Sequence, residues 1–277
     1  MPLPSQYTLS TGATLASVGL GRVSSLLFDP NAPGIFLTTL DLCWMGTPVK
    51  AGASGNEETY EMVRTALGAT DPSTGETIPF DQSPTFVQTW LEMEKLLSTG
   101  KVKCIGVSNF SIKNLEILLP QATVPHISNP QVEGHPYLPN DALAAYCKEK
   151  GIHLTAYCPL GQGRSPILLE PLLAALSRKY AKPAGSILLS WGVQRGWSVV
   201  PKSSNPGRMA QNLDIFELEE ADMDAISALH RQPGNYRSLC DYGPGSQKDG
   251  YCSGWRIKED LGWDYPITKA EGGGWTA

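Results

Sequence analysis

With 277 residues, 41% of them apolar and 18% charged, the chain is long enough for one barrel-sized domain with a large core. Its net charge of −5 gives no basis for a nucleic-acid partner or an anionic membrane surface. No apolar run nears membrane-spanning length, and no basic stretch followed by an apolar one opens the chain, so a cytoplasmic protein is expected.

Tyr7–Leu15 predicts two short strands around Thr11-Gly12, a hairpin signal. Val18-Gly-Leu-Gly21 follows as a buried strand; without a third glycine and an amphipathic helix it is not a dinucleotide-binding loop. Arg22–Pro33 has no clear period and ends in a turn-rich loop. Ile35–Met45 is a long apolar strand candidate. The connection Gly46–Gln82 carries one helical stretch, Asn56–Leu67, capped by Asn56. Ser83-Pro84 then opens a helix to about Thr99, with Phe86, Trp90, Met93 and Leu97 at helical spacing.

From there the alternation is regular. Strand Val102–Val107 precedes helix Ile112–Leu119, strand Ile127–Val132 precedes helix Asn140–Glu149, and strand His153–Tyr157 precedes helix Glu170–Tyr180. Helix Pro183–Gln194 leads to strand Ser198–Val200, and helices Arg208–Leu213 and Glu220–His230 follow. Such β-α repetition argues for a parallel sheet closed or nearly closed into a barrel. From Pro233 the tail is rich in Gly, Tyr and Trp. The cysteines (Cys43, Cys104, Cys147, Cys158, Cys240 and Cys252) show no CxxC or zinc spacing, so no metal is expected. Most sit in apolar runs and read as reduced, buried thiols; Cys240 and Cys252, in the Gly-rich tail, read as candidates for exposure.

One stretch points to a ligand. Val199-Val200 makes a short buried strand, Pro201 ends its ladder, and Lys202 and Ser203 follow at its carboxyl end. Arg208 lies near the start of the next helix, whose free N–H groups also favour an anion. A Lys, a hydroxyl and an Arg converging there suit a phosphate. This stretch resembles the 2′-phosphate site of the aldo-keto reductases, NADP(H)-dependent enzymes built on a (β/α)8 barrel. Cys104-Ile-Gly-Val-Ser-Asn-Phe110, Asn129-Pro-Gln-Val-Glu-Gly-His-Pro-Tyr137 and Ala156-Tyr-Cys-Pro-Leu-Gly161 carry the same resemblance, in the family's order. It runs from Lys95 to about Leu229, with a shorter piece at Thr8–Gly21.

The resemblance implies an α/β fold of the (β/α)8 TIM-barrel type, truncated to roughly six family-like strands with an N-terminal hairpin. The whole chain is one domain: family-like over 7–21 and 82–231, unmatched over 46–81, with the tail at 232–277. It implies NADP(H) as cofactor and a small carbonyl or alcohol as substrate. Ser108, Asn109 and Gln131 would hold the nicotinamide carboxamide, and Tyr157 would stack on the ring. Leu160 and Gly161 would let the pyrophosphate approach. Lys202, Ser203 and Arg208 would hold the 2′-phosphate, and Asn212 the adenine. Cys158 stands where the family has serine, and Gln211 where it has glutamate.

The family's catalytic tetrad is not matched. Its histidine position reads Gly46, its lysine position reads Leu40, and about two βα units, on the order of 60 residues, are missing. His135 and Tyr137 read as structural. Three readings follow: a carbonyl reductase, a cofactor-binding or non-redox (isomerase- or cyclase-like) barrel protein, and a wrongly joined chain that skips two units. With fewer strands to close, the sheet's outer strands are expected to act as edges open to self-association.

Overall fold

A computed structural model describes residues 3–9, 12, 14–19, 37–41, 79–82, 85–99, 104–123, 130–163, 166–240, 247–248, 250–252 and 255–265. The predicted loop Arg22–Pro33, helix Asn56–Leu67 and Gly46 lie outside these residues. Gln6–Thr8 (β1) and Thr14–Ala16 (β2) pair antiparallel, as the hairpin signal predicts. Tyr7 donates its hydroxyl to the Val193 carbonyl at 2.7 Å, and its ring lies 4.6 Å from that of His153.

The main sheet is parallel. Leu37–Asp41 (β3), Cys104–Ser108 (β4), Pro130–Glu133 (β5), Thr155–Tyr157 (β6) and Ser198–Val200 (β7) stand side by side in chain order. Val18 adds a parallel bridge to Val199 on the far side of β7. Among the described residues nothing joins β3 to Val18, so six positions line up without closing a barrel. The register of β3 against β4 runs from Leu37 with Cys104 through Asp41 with Ser108.

Helix Ile112–Leu118 follows β4 and helix Asp141–Glu149 follows β5; Pro171–Tyr180 and Ala184–Gln194 both lie between β6 and β7, and Pro206–Leu213 and Glu220–Ser227 follow β7. Ala184–Gln194 packs closest. A Cβ on its Gly192 would lie 2.7 Å from Val199 Cγ1, so only glycine permits this approach to β7. Arg195 just beyond it places its guanidinium 4.7 Å and 4.2 Å from the rings of Trp191 and Trp197.

The helix expected over Ser83–Thr99 is shorter, Phe86–Glu94, followed by a single 3₁₀ turn at Leu97–Thr99. Thr85 and Gln88 form a capping box that fixes its start. At its end the Glu94 side chain is buried, accepting from Trp90 Nε1 at 2.6 Å and from the Thr123 amide at 2.9 Å. The last predicted helix likewise stops at Ser227 and tightens into a 3₁₀ turn, Ala228–Arg231. The tail adds a small antiparallel sheet of Gln247–Lys248 (β8), Tyr251–Cys252 (β9) and Trp255–Arg256 (β10). Cys252 is fully buried there, against the expectation of an exposed thiol, because it joins Trp255, Leu261 and Trp263 in the main apolar core. No helix among the described residues is long and apolar enough to cross a membrane.

Candidate functional site

Parallel strands bring their carboxyl ends to one side of the sheet, where loops rather than ladder bonds decide which side chains meet. Ser108 ends β4 and is buried. Asn109 follows in a left-handed conformation, φ 59°, which an asparagine tolerates better than most residues. Its amide donates to the Gln131 carbonyl at 2.9 Å, and its Oδ1 accepts from the Tyr157 hydroxyl at 2.8 Å. Three of the expected nicotinamide-side residues are therefore locked together across β4, β5 and β6. Trp263 reaches in from the tail and donates its Nε1 to the Asn109 carbonyl at 3.1 Å.

The loop after β6 turns sharply. Cys158, Gly161 and Gln162 all have positive φ, and Gly161 N–H donates to the Cys158 carbonyl at 2.9 Å. Leu160 lies over Gly185, in the first turn of helix Ala184–Gln194. β7 is next to β6, with Val200 opposite Tyr157. Past it, the Asn205 side chain caps helix Pro206–Leu213 by accepting from the Arg208 amide at 3.0 Å. Arg208 Nε donates to Ser203 Oγ at 3.4 Å. Lys202 and Arg208 are exposed, and among the described residues neither pairs with a carboxylate. Asn212 is buried at the other end of that helix. The expected residues thus fall into two groups on neighbouring strand ends: Ser108, Asn109, Gln131 and Tyr157, then Lys202, Ser203 and Arg208.

The chemistry of this donor set fits a dinucleotide phosphate. Two cations with no carboxylate partner among the described residues, a hydroxyl and a helix start suit an anion, while an aromatic face held by Asn109 suits a flat ring. A cavity of about 420 Å³ lies beside Asn109, lined also by Ile112, Val132, Asn140, His230 and Trp263 among others. Tyr157, Lys202 and Arg208 are not part of its lining.

One node was invisible in the sequence. Glu133 at the end of β5 is buried with its carboxylate fully engaged. Its Oε1 accepts from His135 Nε2 at 2.8 Å, from the Leu239 amide at 2.6 Å and from the Cys240 amide at 3.1 Å. Its Oε2 accepts from Ser238 Oγ at 2.5 Å. Burial alone would raise this carboxyl, but the bonds from His135, Ser238 and Leu239 outweigh it and hold the group below its usual range. His135 Nδ1 accepts from the Leu138 amide at 3.1 Å, so the ring has no free nitrogen for a substrate. Tyr137 is buried too, its hydroxyl donated to Glu170. Both are structural, as their motif suggested. The available signal for the node was a charged residue inside the buried run Val132-Glu133-Gly134.

The aldo/keto reductase family model matches residues 68–231. Over 153 residues the chain is 44% identical to the glycerol 2-dehydrogenase (NADP(+)) of Saccharomyces cerevisiae, covering 55% of this chain and 49% of that protein. It is 38% identical over 200 residues to the D-galacturonate reductase of Hypocrea jecorina, covering 72% of this chain and 61% of that protein. Among solved structures, the aldose reductase from Schistosoma japonicum is similar with a TM-score of 0.51 and 33% identity, covering 57% of this chain and 51% of its own. The chain spans about half the length of most of these relatives.

Proposed function

This chain belongs to the aldo/keto reductase family, and from that premise we propose that it binds NADP(H) along the carboxyl ends of β4 to β7 but passes hydride to carbonyls slowly or not at all. The observation that carries the binding half is the placement of the Asn109–Tyr157 pair and the Ser203–Arg208 pair on neighbouring strand ends. Lys202, Ser203 and Arg208 take the 2′-phosphate, Asn212 the adenine, and Leu160 with Gly161 the pyrophosphate. Ser108, Asn109 and Gln131 orient the carboxamide, while Tyr157 covers one face of the nicotinamide. When bound, the cofactor supplies a hydride. A small aldehyde, ketone or polyol is the substrate class, by analogy with relatives named for glycerol and galacturonate.

Weak turnover follows from what the chain lacks. Hydride transfer builds negative charge on the carbonyl oxygen, which a positioned acid must neutralise. By resemblance the histidine position reads Gly46, and the acid and its lysine belong to the units the chain lacks. Tyr137 is no substitute: burial, together with its bond to the Glu170 carboxylate, pushes its hydroxyl upward and makes it a poorer acid. A missing acid lowers rates by roughly 10²–10⁴-fold.

The test pairs a fluorescence titration with NADPH against turnover of 4-nitrobenzaldehyde. Saturable binding with turnover well below about 1 s⁻¹ is expected. Turnover at or above that rate would overturn the catalytic half, and absence of binding would overturn the whole.

A further inference from the structure

Cys158 sits in the turn after β6 with φ 53°, and Cys240 lies in the tail segment whose amides bind Glu133. Both are reduced and part-exposed. Their sulfurs lie within 4.8 Å of one another and of a Glu133 carboxylate oxygen. We propose that these two cysteines are an oxidisable pair whose disulfide fastens the C-terminal tail to the carboxyl end of β6.

Geometry favours a bond between the sulfurs. Closing to about 2.05 Å needs less than about 3 Å of movement, shared between a loop and a tail, with no strand displaced. A metal is the rival occupant of a carboxylate and two thiols. Glu133, however, already accepts from His135, Leu239 and Cys240 on Oε1 and from Ser238 on Oε2. An ion taking Oε1 would have to strip bonds that hold the tail in place.

The same carboxylate orders the chemistry. A hydrogen bond with Cys158, burial and the Glu133 charge push the Cys240 thiol well above its usual range. Cys158 is therefore the sulfur that meets an oxidant such as hydrogen peroxide. Its thiolate attacks one peroxide oxygen, the O–O bond breaks, and the departing oxygen leaves as water, giving a sulfenic acid. The Cys240 sulfur then attacks the Cys158 sulfur, the S–O bond breaks, and hydroxide leaves as a second water with the Cys240 proton. Two thiols and one peroxide become one disulfide and two waters, with two electrons passing from sulfur to oxygen.

The test uses the full chain, reduced, desalted and treated with hydrogen peroxide. Remaining thiols are alkylated, and the protein is digested without reductant and mapped by mass spectrometry. A cross-linked peptide pair carrying Cys158 and Cys240 is expected, reversed by dithiothreitol. The thermal midpoint should rise by about 5–10 °C on oxidation and stay put in Cys158→Ser. Alkylation of both cysteines after peroxide, or links to other cysteines instead, would overturn the proposal. So would one equivalent of zinc in the purified protein that shields both thiols and is lost in Cys158→Ser. The peptide map of the unsubstituted chain decides the matter even if the variant fails to fold.

Discussion

On one flank of the sheet β7 is held from three sides. β6 pairs with it, Val18 bridges it beneath the hairpin, and Gly192 lets a helix lie directly against Val199. On the other flank, β3 pairs with β4 alone among the described residues. The residues assigned to the cofactor belong to β4 through β7 and the loops beyond them. On the proposed reading, the acid and lysine that the chain lacks would stand on the β3 side, so binding and proton donation would rest on different parts of the scaffold and could be lost separately. Each experiment below tries to break that separation or to sharpen it.

The largest expected effect comes from the braced flank itself. Trp197 is 3% exposed, meets Trp191 edge to face at 5.7 Å, and lies under the Arg195 guanidinium. Trp197→Ala leaves a cavity beside β7 and should cost about 3–5 kcal/mol, read as a fall in the urea midpoint with little change in slope. NADPH binding should fall only through the unfolded fraction. Lost affinity in a still folded variant would show that the flank does more than hold the strand.

His153 gives a pH-dependent version of the same test. Burial lowers its pKa to about 4, with Tyr7 over the ring and Ser198 Oγ 3.0 Å from Nε2. The unfolded chain takes a proton at about 6.5, while the folded chain refuses it until about 4. Stability is therefore full above about pH 6.5 and falls as the pH drops to about 4, by up to about 3 kcal/mol. Unfolding midpoints measured over that range should slope downward towards acid. His153→Gln should flatten the slope, and an unchanged slope would remove the histidine from the account.

The third effect is local. Arg208 belongs to the binding flank, yet among the described residues its hydrogen bonds go to Ser203 and its own cap. Arg208→Ala should weaken NADPH about tenfold or more and leave NADH nearly unchanged, because a charge-assisted bond to the 2′-phosphate is lost. Equal losses for both cofactors would move the phosphate elsewhere.

How much of this was readable beforehand depends on how local each signal is. Strands β4 to β7 are runs of three to five residues, and their existence was legible from the alternation of strand and helix signals. The end of the helix after Thr85 was not, because it depends on Glu94 burying itself against Trp90 and Thr123. Asn109 and Tyr157 were legible because each lies in a short motif. The Glu133 node was not: its partner Cys240 is 107 residues away, and no local pattern announces a bond over that distance. The tail strands, two residues each, are too short to show any period.

The smallest expected effect lies at the open edge. A strand paired on one side leaves every second backbone group free to accept another strand. β3 and Val18 are the two outer members of this sheet, and neither meets the other among the described residues. Val18 is shielded beneath the hairpin, whose Ser17 amide is tied to Ser5. β3 is thus the stronger candidate for pairing with a second copy. Such pairing adds a few ladder bonds, each worth only about 0.5–1.5 kcal/mol net, so association should be weak and should grow with concentration. Sedimentation velocity should show the mean mass climbing with concentration, and backbone amides of Leu37–Asp41 should gain protection from hydrogen exchange in step. Protection of Ser198–Val200 should stay constant throughout. A monodisperse monomer at every concentration, with Leu37–Asp41 as protected as Ser198–Val200, would mean that β3 is covered and that the two flanks are equally closed.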